Sequence, residues 1–139
     1  MNLLNSIIDY EEFIYNLPNN YSVIKFSTLV LKRSGNSVAE VSGIIFFEKN
    51  LKLIVRELID FRLGLIKTYN YEVHVSGEKQ YYYDHQPHPN IPSLQATHPH
   101  HKHIHPNIKH NRIPAKDLSF NNENISFIIH EIITNYFNI

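Results

Sequence analysis

Five of the chain's seven prolines lie between residues 87 and 106, at positions 87, 89, 92, 99 and 106. Each one removes a backbone donor and fixes φ, so the segment from His85 to Pro106 is expected to be neither a central strand nor a helix interior. That segment splits the chain unequally. Residues before it must build most of the core, and a short C-terminal part must close over it. Loops of this length in a compact chain are functional or poorly ordered. This one is expected to be the most mobile region unless a ligand, metal or partner orders it.

Residues 3–15 predict a first helix, with Leu3, Leu4, Ile7, Ile8 and Ile14 as its apolar stripe and Pro18-Asn19-Asn20 as its stop. A β-rich region follows. Residues 21–31 predict one strand, buried on much of both faces. Ser34-Gly35-Asn36 turns it into a second, residues 38–47, with Gly43 a candidate bulge. Residues 51–58, 65–75 and 79–83 predict three more, joined by Glu48-Lys49-Asn50 and Ser76-Gly77-Glu78. After the proline segment, Asn121 or Asn122 can cap a helix carrying Ile125, Ile128, Ile129, Ile132, Ile133, Tyr136 and Phe137 at helical spacing. The expected fold is α+β over residues 1–139 as a single unit. It has an antiparallel sheet of about five or six strands, N- and C-terminal helices packed on it, and a long His/Pro-rich loop.

The chain has no cysteine, which excludes disulfides, thiolate metal sites and a catalytic thiol. With no signal peptide and no apolar run long enough to span a bilayer, a soluble cytoplasmic protein is expected. Formal charge is zero, but it is unevenly placed. Residues 98–116 hold Lys102, Lys109, Arg112, Lys116 and six of the ten histidines, and no acid. The remainder carries 9 basic and 13 acidic residues. A neutral protein with one local basic segment suits a defined anion site better than a general polyanion coat.

The densest constellation is His98-Pro99-His100-His101-Lys102-His103-Ile104-His105. Such a tract can capture zinc adventitiously. A tight metal site is not expected, because Pro99 and Pro106 keep the His-x3-His spacing off a helix and an ammonium at Lys102 is unfavourable beside a dication. No cofactor is expected either. Imidazole can exchange protons with a hydroxyl or leaving group near neutral pH, and a lysine or arginine can stabilise charge on a phosphoryl oxygen. In an extended segment His101 and His103 point to one side and Lys102 to the other, while a turn could gather all three.

A second cluster, Tyr81-Tyr82-Tyr83-Asp84 followed by His85 and Pro87-His88-Pro89, lies just upstream. Asp84 at the end of a strand can hold an imidazole in one tautomer. Tyr69, Tyr71, Tyr81 and Tyr83 could form a base-stacking face or pack beneath the C-terminal helix. Glu57, on an otherwise apolar strand, is a candidate for a buried role.

Tyr69-Asn70-Tyr71, Tyr83-Asp84, Pro87-His88-Pro89 and Pro99-His100-His101-Lys102-His103 together resemble the TumE-type toxins of prokaryotic toxin–antitoxin pairs, over roughly residues 40 to 135. The resemblance implies a growth-inhibiting toxin with a helix-turn-helix antitoxin that neutralises it and represses the operon. From the residues themselves, a metal-independent endoribonuclease is expected. His101 and His103 would be its acid–base pair, with His100 as substitute, Lys102 on the phosphate and Asp84 as orienter. Tyr83, His88, Tyr69, Tyr71, Lys109 and Arg112 would contact RNA. Group transfer, such as nucleotidyl transfer to tRNA or protein, is the rival enzyme class. A metal- or nucleic-acid-binding module is the non-enzymatic one. No membrane partner is expected, and a homodimer is compatible with the sequence.

Overall fold

Strand alternation governs the middle of the chain. In the computed structural model, which describes residues 2–85, 100–109 and 111–137, β4 (Leu51–Asp60) buries Leu51, Leu53, Val55, Glu57 and Ile59. β5 (Leu65–Val75) buries Tyr69, Tyr71 and Val73, and β6 (Glu78–Asp84) buries Tyr81 and Tyr83. Val55 lies opposite Tyr71, and Tyr71 opposite Tyr83. These side chains therefore share one face, the inner one.

The chain enters through a 3-10 turn, Leu3–Asn5, and α1 (Ile7–Tyr15). The expected single helix is broken at Ser6, whose extended backbone lets its hydroxyl accept from the Asp9 amide at 3.2 Å. Pro18 does not stop the helical region. It sits in the first turn of a short α2 (Leu17–Asn20), where no amide donor is needed.

The expected strand at residues 21–31 is two strands, β1 (Ile24–Ser27) and β2 (Val30–Ser34), both paired with β3 (Val38–Phe47). The corner between them is set by Thr28, whose hydroxyl accepts from the Ile44 amide at 2.9 Å. Gly43 is not a break in register with β4, since it pairs in step with Val55. It serves a close approach: at φ +143°, a Cβ there would lie 2.6 Å from the Thr28 carbonyl oxygen.

The main correction lies in the proline segment. Residues 101–103 form β7 (His101–His103), paired antiparallel with β6 on one side and with β8 (Arg112–Pro114) on the other. The prolines at 99 and 106 flank this strand and leave its three residues with amide donors. Pro114 lies in β8 at the sheet edge, where a missing donor is tolerated. The sheet is antiparallel throughout, in the order β1-β3-β4-β5-β6-β7-β8 with β2 also on β3. Among the described residues it has eight strands rather than five or six, and with a few helices it keeps the α+β class. Residues 86–99, which hold the rest of the expected loop and His88, lie outside the described residues. No helix among the described residues is long and apolar enough to cross a membrane.

Closing the inner face, α3 (Ile125–Ile132) buries Ile125, Ile128, Ile129 and Ile132 and runs into a π-helical turn, Ile133–Phe137. The residue preceding it is Asn124, beyond the expected caps. Its side chain is turned inward, donating to the Ser119 carbonyl at 2.9 Å and the Tyr71 hydroxyl at 3.2 Å. The Tyr71 hydroxyl in turn donates to Glu57, which also accepts from Tyr10 of α1 at 2.6 Å. Glu57 is fully buried, so its expected buried role is met: it joins α1, the sheet and the start of α3. Burial pushes its carboxyl up to about 7, against the lowering effect of the two tyrosine hydrogen bonds.

Candidate active site

The short β6–β7 ladder assembles the site. Tyr82 lies opposite His103, Tyr83 opposite Lys102 and Asp84 opposite His101. Because side chains alternate, Asp84, His101 and His103 fall on the outer face and Lys102 on the inner one. Asp84 also links His101 to a cross-strand row of directly paired residues, Ser42, Arg56 and Asn70, on that outer face.

The Asp84 carboxylate addresses both rings. Its Oδ2 is 3.1 Å from His103 Nε2, and its Oδ1 is 3.5 Å from His101 Nδ1. Both imidazoles are buried, at 0% and 1% exposure. His103 is further fixed by two contacts that no spacing in the sequence predicts. Its Nδ1 donates to the Ile108 carbonyl at 3.1 Å, and the Tyr82 ring stacks on it at 4.0 Å with the planes 9° apart. Burial alone would raise the Asp84 pKa. The His103 hydrogen bond and the charges of His103, His101 and Arg112 outweigh it and hold the carboxyl below its usual value. A carboxylate bracketed by two imidazoles in a low-dielectric site is equipped to hold and move protons. Asp84, His101 and His103 can also each offer a metal-ligand atom, all within 4.8 Å of one another.

Lys102 does not join this group. On the inner face its Nζ is 3.2 Å from Glu131 Oε2 and lies 4.5 Å from the Tyr81 ring centre and 5.4 Å from that of Tyr83. The Tyr83 hydroxyl donates to the same Glu131 carboxylate at 2.8 Å, and its pKa is pushed up by burial and by Glu131. Glu131 follows His130 at the margin of the apolar helix stripe, and no pattern in the sequence links it to residue 102.

The RNA-stacking surface expected of Tyr69, Tyr71 and Tyr83 is corrected by their burial on the inner face. Tyr71 is committed to Glu57. Tyr69 stacks on Tyr71, and its hydroxyl lies 2.6 Å from His100 Nδ1. His100 packs against Phe120, with ring centres 4.5 Å apart. It therefore sits across the sheet from His101 and cannot stand in for it. Arg112 lies opposite His103 in β8, on the site's face. Lys109 is exposed on the turn between β7 and β8. His88 is outside the described residues. His74 pairs with Glu72 at 3.0 Å, and His130 lies 3.4 Å from the Tyr21 hydroxyl, as befits satisfied histidines.

Comparison with known proteins returns one family. The model of the family described as Toxin TumE matches residues 12–136, most of the chain and the whole of the β6–β7–β8 region. No curated protein and no solved structure matches significantly.

Proposed function

The chain belongs to the TumE toxin family, and we propose that it is the growth-inhibiting toxin of a toxin–antitoxin pair that cleaves RNA at the Asp84–His101–His103 centre. The observation that supports this most is the pair of buried imidazoles facing one carboxylate. Cleavage of this kind needs a base for the ribose 2′-hydroxyl and an acid for the departing 5′-oxygen. His103, held between Asp84 and the Ile108 carbonyl, is suited to be the protonated acid, and His101 the base. Attack of the 2′-oxygen on phosphorus then breaks the bond to the 5′-oxygen and leaves a 2′,3′-cyclic phosphate. Lys102, on the inner face, is replaced in the phosphate role by Arg112, with Lys109 at the approach. Access to the buried rings requires Tyr82 or residues 104–109 to give way.

The partner in this reading is a helix-turn-helix antitoxin, and the site of action is the cytoplasm. The test is incubation of the folded, untagged protein with labelled RNA in EDTA between pH 6 and 8. Cleavage is expected in the wild type and lost in His101→Ala and His103→Ala. RNA left intact by a folded wild type refutes the reading. In cells, growth arrest by the wild type and relief by the neighbouring gene are expected, with neither arrest nor relief needed for the histidine variants.

A further inference from the structure

The contact between His103 and Asp84 has one chemical peculiarity. A carbonyl oxygen can only accept, so the 3.1 Å contact with Ile108 places a proton on His103 Nδ1. In the neutral ring Nε2 then carries a lone pair, and it faces Asp84 Oδ2 at 3.1 Å. Two acceptors at that distance need a cation between them. A second proton on the ring is one solution, and a metal is the other. A backbone carbonyl fixing the far nitrogen is the usual way a ligating imidazole is oriented.

The spacing suits a metal. Tetrahedral zinc with bonds of about 2.0–2.1 Å puts neighbouring ligand atoms about 3.3 Å apart. Asp84 Oδ2 is 3.1 Å from His103 Nε2 and Asp84 Oδ1 is 3.5 Å from His101 Nδ1, and one ligand atom from each of the three residues lies within 4.8 Å of the others, so a small inward shift of the buried rings closes the set on one ion. The objection that Lys102 would repel a dication is removed by the strand, which sends that side chain to the inner face beside Glu131. Both imidazoles are buried, and the Tyr82 ring holds one of them in plane. A ligand set of two imidazoles and one carboxylate, with no sulfur, matches zinc and the neighbouring divalent transition metals rather than calcium or magnesium.

We propose that Asp84, His101 and His103 form a binding site for a divalent transition metal of the zinc class, and that its occupancy blocks the acid–base chemistry of the same two imidazoles. Metal entry releases the proton held between His103 and Asp84 and forms bonds to both, so the loaded ring can neither give nor take one. The blocking half rests on the ribonuclease reading; the binding half does not.

The experiment uses full-length untagged protein, purified without nickel and stripped with chelator. Zinc is titrated by competition with a chromophoric chelator, and cobalt(II) by its ligand-field absorption. One equivalent per chain is expected. Asp84→Asn and His103→Ala should each weaken binding tenfold or more, while His105→Gln and His130→Gln should leave it unchanged. Zinc should raise the melting temperature of the wild type and of both control variants, but not of Asp84→Asn. Less than half an equivalent, or equal affinity in all five proteins, overturns the site and assigns the metal to the His-rich tract at large. On labelled RNA, activity in chelator that disappears with one equivalent of zinc supports the block. Activity that requires zinc overturns it. RNA intact under both conditions, with site-specific zinc still bound, overturns the block and the ribonuclease reading while the metal site stands.

Discussion

Glu57 should make the protein less stable as pH rises through neutrality. The carboxyl is fully buried, and burial raises its pKa from an ordinary 4.5 to about 7. Below the lower value both folded and unfolded chains carry the proton, and burial of a neutral acid has no ionic penalty. Between the two values the unfolded chain releases its proton and the folded one keeps it, so unfolding is increasingly favoured. Above about 7 both are ionised and the penalty levels off. A difference of about 2.5 pKa units corresponds to about 3 kcal/mol, of which about 2 to 3 kcal/mol develops between pH 5 and 8. Glu57→Gln removes the titration and keeps the hydrogen bonds, because a carboxamide can accept from one tyrosine and donate to the other. Urea unfolding of both proteins across this range should show the variant's relative stability rising by that amount. Glu57→Ala, which strands the Tyr10 and Tyr71 hydroxyls, should instead be destabilised at pH 5 as well as at pH 8. A wild-type–glutamine difference that changes by less than about 1 kcal/mol, or that falls with pH, would refute the reasoning.

Gly43→Ala should cost about 1–3 kcal/mol, because its Cβ meets the Thr28 carbonyl at the β1–β2 corner; a melting curve superimposable on the wild type would contradict this. Glu131→Ala should be destabilising by about 1–3 kcal/mol, since it strips the Lys102 ammonium and the Tyr83 hydroxyl of their shared acceptor, and chemical denaturation measures it. Lys102→Met should then cost less than Glu131→Ala and leave RNA cleavage per folded molecule within a few-fold of wild type. His103→Ala should lower single-turnover RNA cleavage by about 100-fold or more, the scale of a lost general acid.

The long strands and both main helices were legible because their signals are local. Alternation in Leu51–Asp60 and Leu65–Val75 and the isoleucine stripe of α3 need no distant partner to be seen. The added strands were not. Residues 101–103 carry no strand signal of their own between Pro99 and Pro106, and they become a strand only because β6 and β8 supply partners. The same holds for the site. Asp84, His101 and His103 were identifiable by residue type, and strand geometry placed the two histidines on one side. The role of Lys102 was misread, and stacking and packing stayed open for the tyrosines, because inner and outer faces cannot be told apart until the position of α3 is known. Glu131 and the Ile108 carbonyl were invisible for a related reason: one reaches the site region across the fold, and the other is backbone.

Three residue pairs hold β7 against β6, and the parity of that pairing decides what the protein is. Slipped by one position, His101 and His103 would turn toward Glu131 and the tyrosines, and Lys102 would meet Asp84. The isoleucine core would lose a fitted lysine–glutamate seam in the same step that the proton-handling centre vanished. Misassembly therefore cannot yield a sound scaffold with a wrong centre, or a working centre on a faulty scaffold. On the ribonuclease reading proposed above, activity is then a property of the completely folded chain, absent from its partly assembled forms.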